Sequence, residues 1–218
     1  MDVNAEAAAR AAIVDGYRAL DAAGLMHGSA GNVSARMGDT MLITPSGIDA
    51  ARLDADGVVA MSLDGAVRGA GLPSSEWRMH AGVYRRHADA GAIVHTHADA
   101  CVALACLRRG LPAFHYMVAG FGGDDVRCSP YAPFGSQRLA DLAADALDGR
   151  TACLLANHGM LARGATVAAA VSATRRLETL CRQYLLALQA GEPVLLGADE
   201  MREVHGRYAV YGRGPMPA

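Results

Sequence analysis

Three histidines stand where metal chemistry would need them. His95 and His97 flank Thr96 at the end of the apolar run Ala92-Ile93-Val94. Side chains two apart on a strand point to the same face, so both imidazoles can converge on one ion at Zn–N distances of ~2.0–2.1 Å. His158 follows a second apolar run, Cys153-Leu154-Leu155, and precedes Gly159. Two strand ends meeting at one sheet edge would bring all three rings together. Three neutral imidazoles leave Zn²⁺ an open position, the arrangement of a catalytic site rather than a structural one. Such an ion acts as a Lewis acid toward a carbonyl oxygen. An H-x-H alone also fits two hydrogen-bonded histidines at a strand terminus. His27, His80, His87, His115 and His205 have no comparable setting and read as surface or satisfied core residues.

A second chemistry is anion binding. Thr44-Pro45-Ser46-Gly47 and Pro73-Ser74-Ser75 each offer hydroxyls and backbone N–H groups in a turn or at a helix start. Helix N-termini hold phosphate through exposed N–H groups and the helix dipole; ordinary capping explains either motif taken singly. Glu76 lies in the first turn of the predicted helix. It either stabilises the helix dipole, worth ~0.3–1 kcal/mol, or stands as an acid/base held close to a bound phosphate.

These groups need elements to carry them. Residues 5–23 predict a helix with Ile13, Tyr17 and Leu20 on one face and Gly24 closing it. Further helices are predicted from Pro73 to about His87, over 99–108, over 135–147 and, as the last long one, over 166–190. Met41-Leu42-Ile43, residues 92–95 and residues 152–155 read as strands, and 51–72 as short antiparallel strands. Strands mixed with helices and no linker, repeat or low-complexity segment predict one layered α/β domain over residues 1–218.

The composition agrees. Apolar residues make up 52% of the 218 and charged ones 19%, which is globular rather than disordered. A formal charge of -2 argues against nucleic acid or an anionic membrane as partner. Five cysteines, an odd number with no C-x-x-C pair, predict reduced thiols. The segment MDVNAEAAAR lacks a signal-peptide pattern, and no apolar run approaches the ~20 residues of a membrane helix. The expectation is a soluble cytoplasmic protein.

Seven motifs in register resemble the class II aldolase/adducin family, from about residue 7 to 212. They are Gly31-Asn32-Val33-Ser34, Leu42 to Ile48, Pro73-Ser74-Ser75-Glu76, His95-Thr96-His97, Pro112 to Met117, Pro130 to Gly135 and Asn157-His158-Gly159. The likeness is strongest to aldolases of the L-fuculose 1-phosphate type. It departs at Asn157, where those enzymes carry a second histidine, and along Arg207–Gly214, which aligns loosely.

The resemblance implies an α/β/α fold, a central, largely antiparallel sheet covered by helices on both faces, assembled as a homotetramer. It implies zinc on His95, His97 and His158, with Mn²⁺ or Co²⁺ as substitutes, and Glu76 as acid/base and alternate ligand. Asn32, Ser46, Gly47, Ser74 and Ser75 would hold the phosphate. Tyr116, from a neighbouring subunit, would exchange the C4 hydroxyl proton, and Phe134 and Tyr211 would lie at the aldehyde end. The implied reaction is reversible cleavage of a ketose 1-phosphate such as L-fuculose 1-phosphate to dihydroxyacetone phosphate and an aldehyde such as L-lactaldehyde. Within the fold the alternatives are an aldolase or dehydratase of 5-deoxy- or 5-methylthio-ribulose 1-phosphate, a pentulose-phosphate 4-epimerase and a decarboxylase of phosphorylated acids. Outside enzymes the alternative is an adducin-like scaffold, which need not retain the metal ligands.

Overall fold

In the computed structural model, which describes residues 3–211, the elements run α1 (Val3–Asp21), β1 (Asn32–Met37), β2 (Thr40–Ile43), β3 (Val59–Ser62), β4 (Val67–Arg68), α2 (Trp77–Arg86), β5 (Ala92–Thr96) and α3 (Asp99–Cys106). A 3-10 helix (Tyr116–Phe121) follows, then β6 (Cys128–Ser129), α4 (Gln137–Ala146), β7 (Ala152–Leu155), β8 (Gly159–Gly164), α5 (Val167–Ala190) and α6 (Ala198–Val210). Of the loosely aligned Arg207–Gly214 segment, residues 212 to 214 lie outside the described part.

One eight-stranded sheet, in the order β4-β3-β2-β1-β5-β8-β7-β6, forms the middle layer. Every neighbouring pair is antiparallel except β6 with β7. Alternation along the strands sends side chains to two cores. Val33, Leu42, Val94, Leu154 and Met160 pack with α1, α3 and α5 on one face. Ile43, Ile93, Cys153, Leu155 and Leu161 pack with α2 and α4 on the other. This is the α/β/α arrangement expected. Each fully buried aliphatic side chain contributes about 1.5–3 kcal/mol, and β2, β5, β7 and most of β8 are buried on both faces.

Local chemistry sets most boundaries. Gly24 at φ 70° ends the first helix, with Leu25 N–H returning to the Leu20 carbonyl. Ser136 caps α4 through Leu139 N–H, and Thr166 caps α5 through Ala169 N–H. The helix predicted from Pro73 begins later. Trp77 is its first residue and Glu76 occupies the cap position, because Ser74 instead uses its carbonyl and hydroxyl to close a turn onto Trp77 N–H and Glu76 N–H.

Five elements were not read from the sequence: β1, the 3-10 helix, β6, β8 and α6. No described helix is long and apolar enough to cross a membrane. All five cysteines are free thiols.

Candidate active site and metal centre

His95 is the last inward-facing residue of β5, on the α2 side of the sheet, and its register partner on β1 is Asn32. His158 sits in the three-residue turn joining β7 to β8, closed by His158 N–H on the Leu155 carbonyl. Asn157, the middle of that turn, adopts φ 53°, a left-handed conformation asparagine tolerates better than most residues. Gly159 follows for a steric reason. A Cβ there would lie 2.5 Å from the Thr96 carbonyl oxygen and 2.9 Å from the His97 ring. Only a glycine lets β8 press this close to His95 and His97.

The three rings meet edge to edge, with centroids 4.8 to 5.0 Å apart. His95 Nε2 lies 3.0 Å from His97 Nε2 and 3.0 Å from Glu76 Oε2, while His158 Nε2 is 3.3 Å from Glu76 Oε1. Ligand atoms of Glu76, His95, His97 and His158 all fall within 4.8 Å of one another.

This donor set fits a divalent cation. His95 donates from Nδ1 to the Met160 carbonyl at 2.8 Å, which aims its Nε2 at the centre, where a bound cation would replace the proton there. Burial, with the nearby His95 charge, pushes His97 and His158 down to about 4, so both present lone pairs at neutral pH. Glu76 Oε1 is buried and takes no hydrogen bond. Its distance to His158 is short, but the contact lies outside hydrogen-bond geometry, leaving an acceptor that a cation would satisfy.

Burial alone would raise the Glu76 carboxyl. The His95 charge and hydrogen bond, with help from His158 and Asn32, outweigh that and hold it well below the usual carboxylate range. Burial would likewise lower His95, but the Glu76 carboxylate raises it. Across their 3.0 Å contact each thus favours the charged form of the other.

A cavity of about 320 Å³ opens above these groups. Pro45 and Pro73 form an isolated bridge, flanked by Ser46 N–H to the Leu72 carbonyl at 2.9 Å and Ser74 N–H to the Thr44 carbonyl at 3.1 Å. That bridge places the Ser46-Gly47 turn beside Ser74-Ser75. All four line the cavity, with Asn32, Glu76, His97, His158, Phe134 and Tyr131. Gly47, at φ 69°, gives the turn its left-handed residue. The structure thus gathers nearly every predicted site residue of the chain into or beneath one cavity, His95 being fully buried.

Tyr116 and Tyr211 are the exceptions. They line a separate cavity of about 870 Å³ between α5, α6 and the 3-10 helix. That cavity is larger, but the cluster of Glu76, His95, His97 and His158 lies beneath the smaller one. Within one chain neither tyrosine lines the site, so a role for them in the reaction requires a second copy.

Three neighbours were not predicted. His80 contacts Asn32 at 2.5 Å, and Ser34 contacts both His80 and Tyr84 at 2.7 Å. The available signal was the spacing of Glu76, His80 and Tyr84, four residues apart and so on one helical face. His80 is indeed a satisfied core histidine, as the sequence suggested, but its partner lines the site.

Comparison with known proteins is consistent with this geometry. The model of the class II aldolase and adducin N-terminal domain matches residues 11–185. A 5-methylthioribulose-1-phosphate/5-deoxyribulose-1-phosphate aldolase of Rhodospirillum rubrum is 47% identical over 205 residues, covering 94% of this chain and 93% of the relative. The L-fuculose phosphate aldolase of Escherichia coli K12 is 40% identical over 201 residues, covering 92% and 94%. A solved L-fuculose 1-phosphate aldolase superposes with a TM-score of 0.89 at 39% identity, covering 92% of this chain and 96% of that one. The chain belongs to the class II aldolase and adducin family, among its carbon–carbon lyases.

Proposed function

We propose that this single-domain enzyme cleaves a ketose 1-phosphate, reversibly, to dihydroxyacetone phosphate and an aldehyde with an apolar tail. The observation that carries the reading is one cavity with three imidazoles and a carboxylate at its floor and two serine-bearing turns at its side. The likeness to the Rhodospirillum rubrum enzyme favours 5-deoxy- and 5-methylthio-ribulose 1-phosphates. The relatives named for L-fuculose phosphate favour that substrate instead. Phe134, 72% exposed, and Tyr131, 52% exposed, give the cavity an apolar mouth that suits a methyl or methylthio end in either case.

The phosphate is held by Ser46, Gly47, Ser74 and Ser75, with an N–H of Asn32. His95, His97 and His158 hold the cation, for which we propose zinc with Mn²⁺ or Co²⁺ as substitutes, and Glu76 serves as an alternate ligand. When bound, the cation acts as a Lewis acid that spreads the negative charge of the enediolate in a site with little water.

In the condensation direction the Glu76 carboxylate, ionised at neutral pH, removes a proton from C3 of dihydroxyacetone phosphate. In cleavage it returns that proton to C3 after the C3–C4 bond breaks and its electron pair stays on the C3 side. The other proton leaves the C4 hydroxyl. Tyr116 of a neighbouring copy is our choice to take it, with Tyr211 close to the aldehyde end, which makes the working form a homotetramer or another closed assembly. Five free thiols suit a reducing cytoplasm.

The test is dihydroxyacetone phosphate release from 5-deoxyribulose, 5-methylthioribulose and L-fuculose 1-phosphates, with and without a chelator. Chelator-sensitive release from one of the three supports the reading and names the aldehyde. No release from any of them by a folded, zinc-loaded sample rejects it.

A further inference from the structure

The polar groups between helix α2 and strand β1 form a line of known direction. A carboxylate only accepts, so the Asn32 atom 3.2 Å from Glu76 Oε2 is Nδ2, a donor. Asn32 Oδ1 then faces His80, and His80 Nε2 must carry the proton in that contact. A neutral imidazole carries one proton, so His80 Nδ1 accepts, and the Ser34 hydroxyl donates to it at 2.7 Å. Ser34 has spent its only proton, so Tyr84 donates to Ser34 Oγ at 2.7 Å. Every link donates toward Glu76. The surroundings agree, since burial pushes His80 down to about 3 and pushes the Tyr84 hydroxyl up, keeping one neutral and the other protonated.

The line ends asymmetrically. Glu76 Oε2 receives Asn32 and lies against His95, whereas Oε1 takes no hydrogen bond. We propose that His80 is a positioning residue for the aldol chemistry: through Asn32 it ties down one oxygen of Glu76 and leaves the other free to exchange the C3 proton. Asn32 keeps a second N–H for the phosphate, so the same amide registers substrate against base. Without His80 the Asn32 amide can turn over, Oδ1 then faces the carboxylate, and Glu76 loses its fixed orientation. This inference rests on the reading of Glu76 as the C3 acid/base.

The experiment is deuterium exchange at C3 of dihydroxyacetone phosphate in D₂O, without aldehyde, followed by NMR on the metal-loaded enzyme. His80→Leu should slow exchange by ~10–100-fold, the usual range for losing an outer-shell partner, with KM for the ketose phosphate within about twofold of wild type. His80→Gln, which restores an N–H toward Asn32, should recover most of the rate. Exchange by His80→Leu as fast as wild type, or equal loss in both variants, would overturn the proposal. Should His80→Leu fail to fold, Ser34→Ala reads the same line: slowed exchange at unchanged metal content supports it and unchanged exchange sinks it. A wild-type enzyme that does not exchange C3 at all removes the underlying assignment of Glu76 instead.

Discussion

Asn32 and His95 are register partners on β1 and β5, and both reach the same atom, Glu76 Oε2, at 3.2 and 3.0 Å. A strand pair therefore holds the helix-cap carboxylate from two sides. This explains how a residue preceding the first turn of α2, where fraying is usual, is 6% exposed and packed against the histidine cluster.

Removing that charge while keeping the shape isolates the proposed acid/base role. Glu76→Gln is expected to lower turnover by ~10²–10⁴-fold, with metal content near one per chain because three imidazoles remain. Steady-state kinetics and metal analysis on the same sample check both halves.

The histidine ligands should behave oppositely. His95→Ala is expected to lose stoichiometric metal, and turnover with it. Chelation of the wild type should abolish turnover, and re-addition of zinc, manganese or cobalt should restore it to different degrees. Stoichiometric zinc in His95→Ala would sink the ligand assignment.

Gly159→Ala is expected to force β8 away from Thr96 and His97, where a Cβ would be 2.5 and 2.9 Å from its neighbours. The expected destabilisation is about 1–3 kcal/mol, as for other overpacked sites, with weakened metal binding. Gly206→Ala is the control. It lies within α6 with nothing within 4 Å of a new Cβ, and should stabilise by ~0.4–1 kcal/mol through the unfolded chain. Urea midpoints on all three proteins decide it.

Acid should destabilise the metal-free protein early. His80 is held at about 3, and His97 and His158 at about 4, against an ordinary 6.5, with burial the first cause for each. Between those values the unfolded chain binds more protons than the folded one, so stability is full above 6.5 and falls as pH drops toward 3 to 4. His95 has the opposite sign, its pKa being raised, but it is one group against three. Urea midpoints of metal-free protein should decline steadily below pH 6.5, and the slope should be shallower in His80→Gln. A flat profile between pH 6.5 and 4.5 would contradict the burial of neutral imidazoles.

Legibility followed chemistry. Strands β5 and β7 were readable because both faces are buried and their runs are apolar without interruption. Strand β1 was not, because Asn32 and Ser34 face α2 and carry the polar line to Glu76 and Tyr84, so the segment reads as a polar turn. Glycine at both ends and Arg163, paired to Asp89, disguised β8. Helix α6 has charged residues around most of its surface and only Met201 buried, so it shows little apolar face. His95, His97 and His158 announced themselves by placement at strand ends. His80 did not, since Ser34 and Asn32 lie 46 and 48 positions away in the chain.

The absence of room at Gly159 has a consequence for how this site can change. A methyl group added at Gly159 would crowd the Thr96 carbonyl and the His97 ring, so variation there disturbs the proposed metal centre. Phe134 and Tyr131 stand largely in solvent at the rim, where a new side chain displaces only water. Under the proposed function, substrate range and bond-breaking power are therefore separable inheritances: the aldehyde accepted can drift residue by residue while the lyase beneath stays the same.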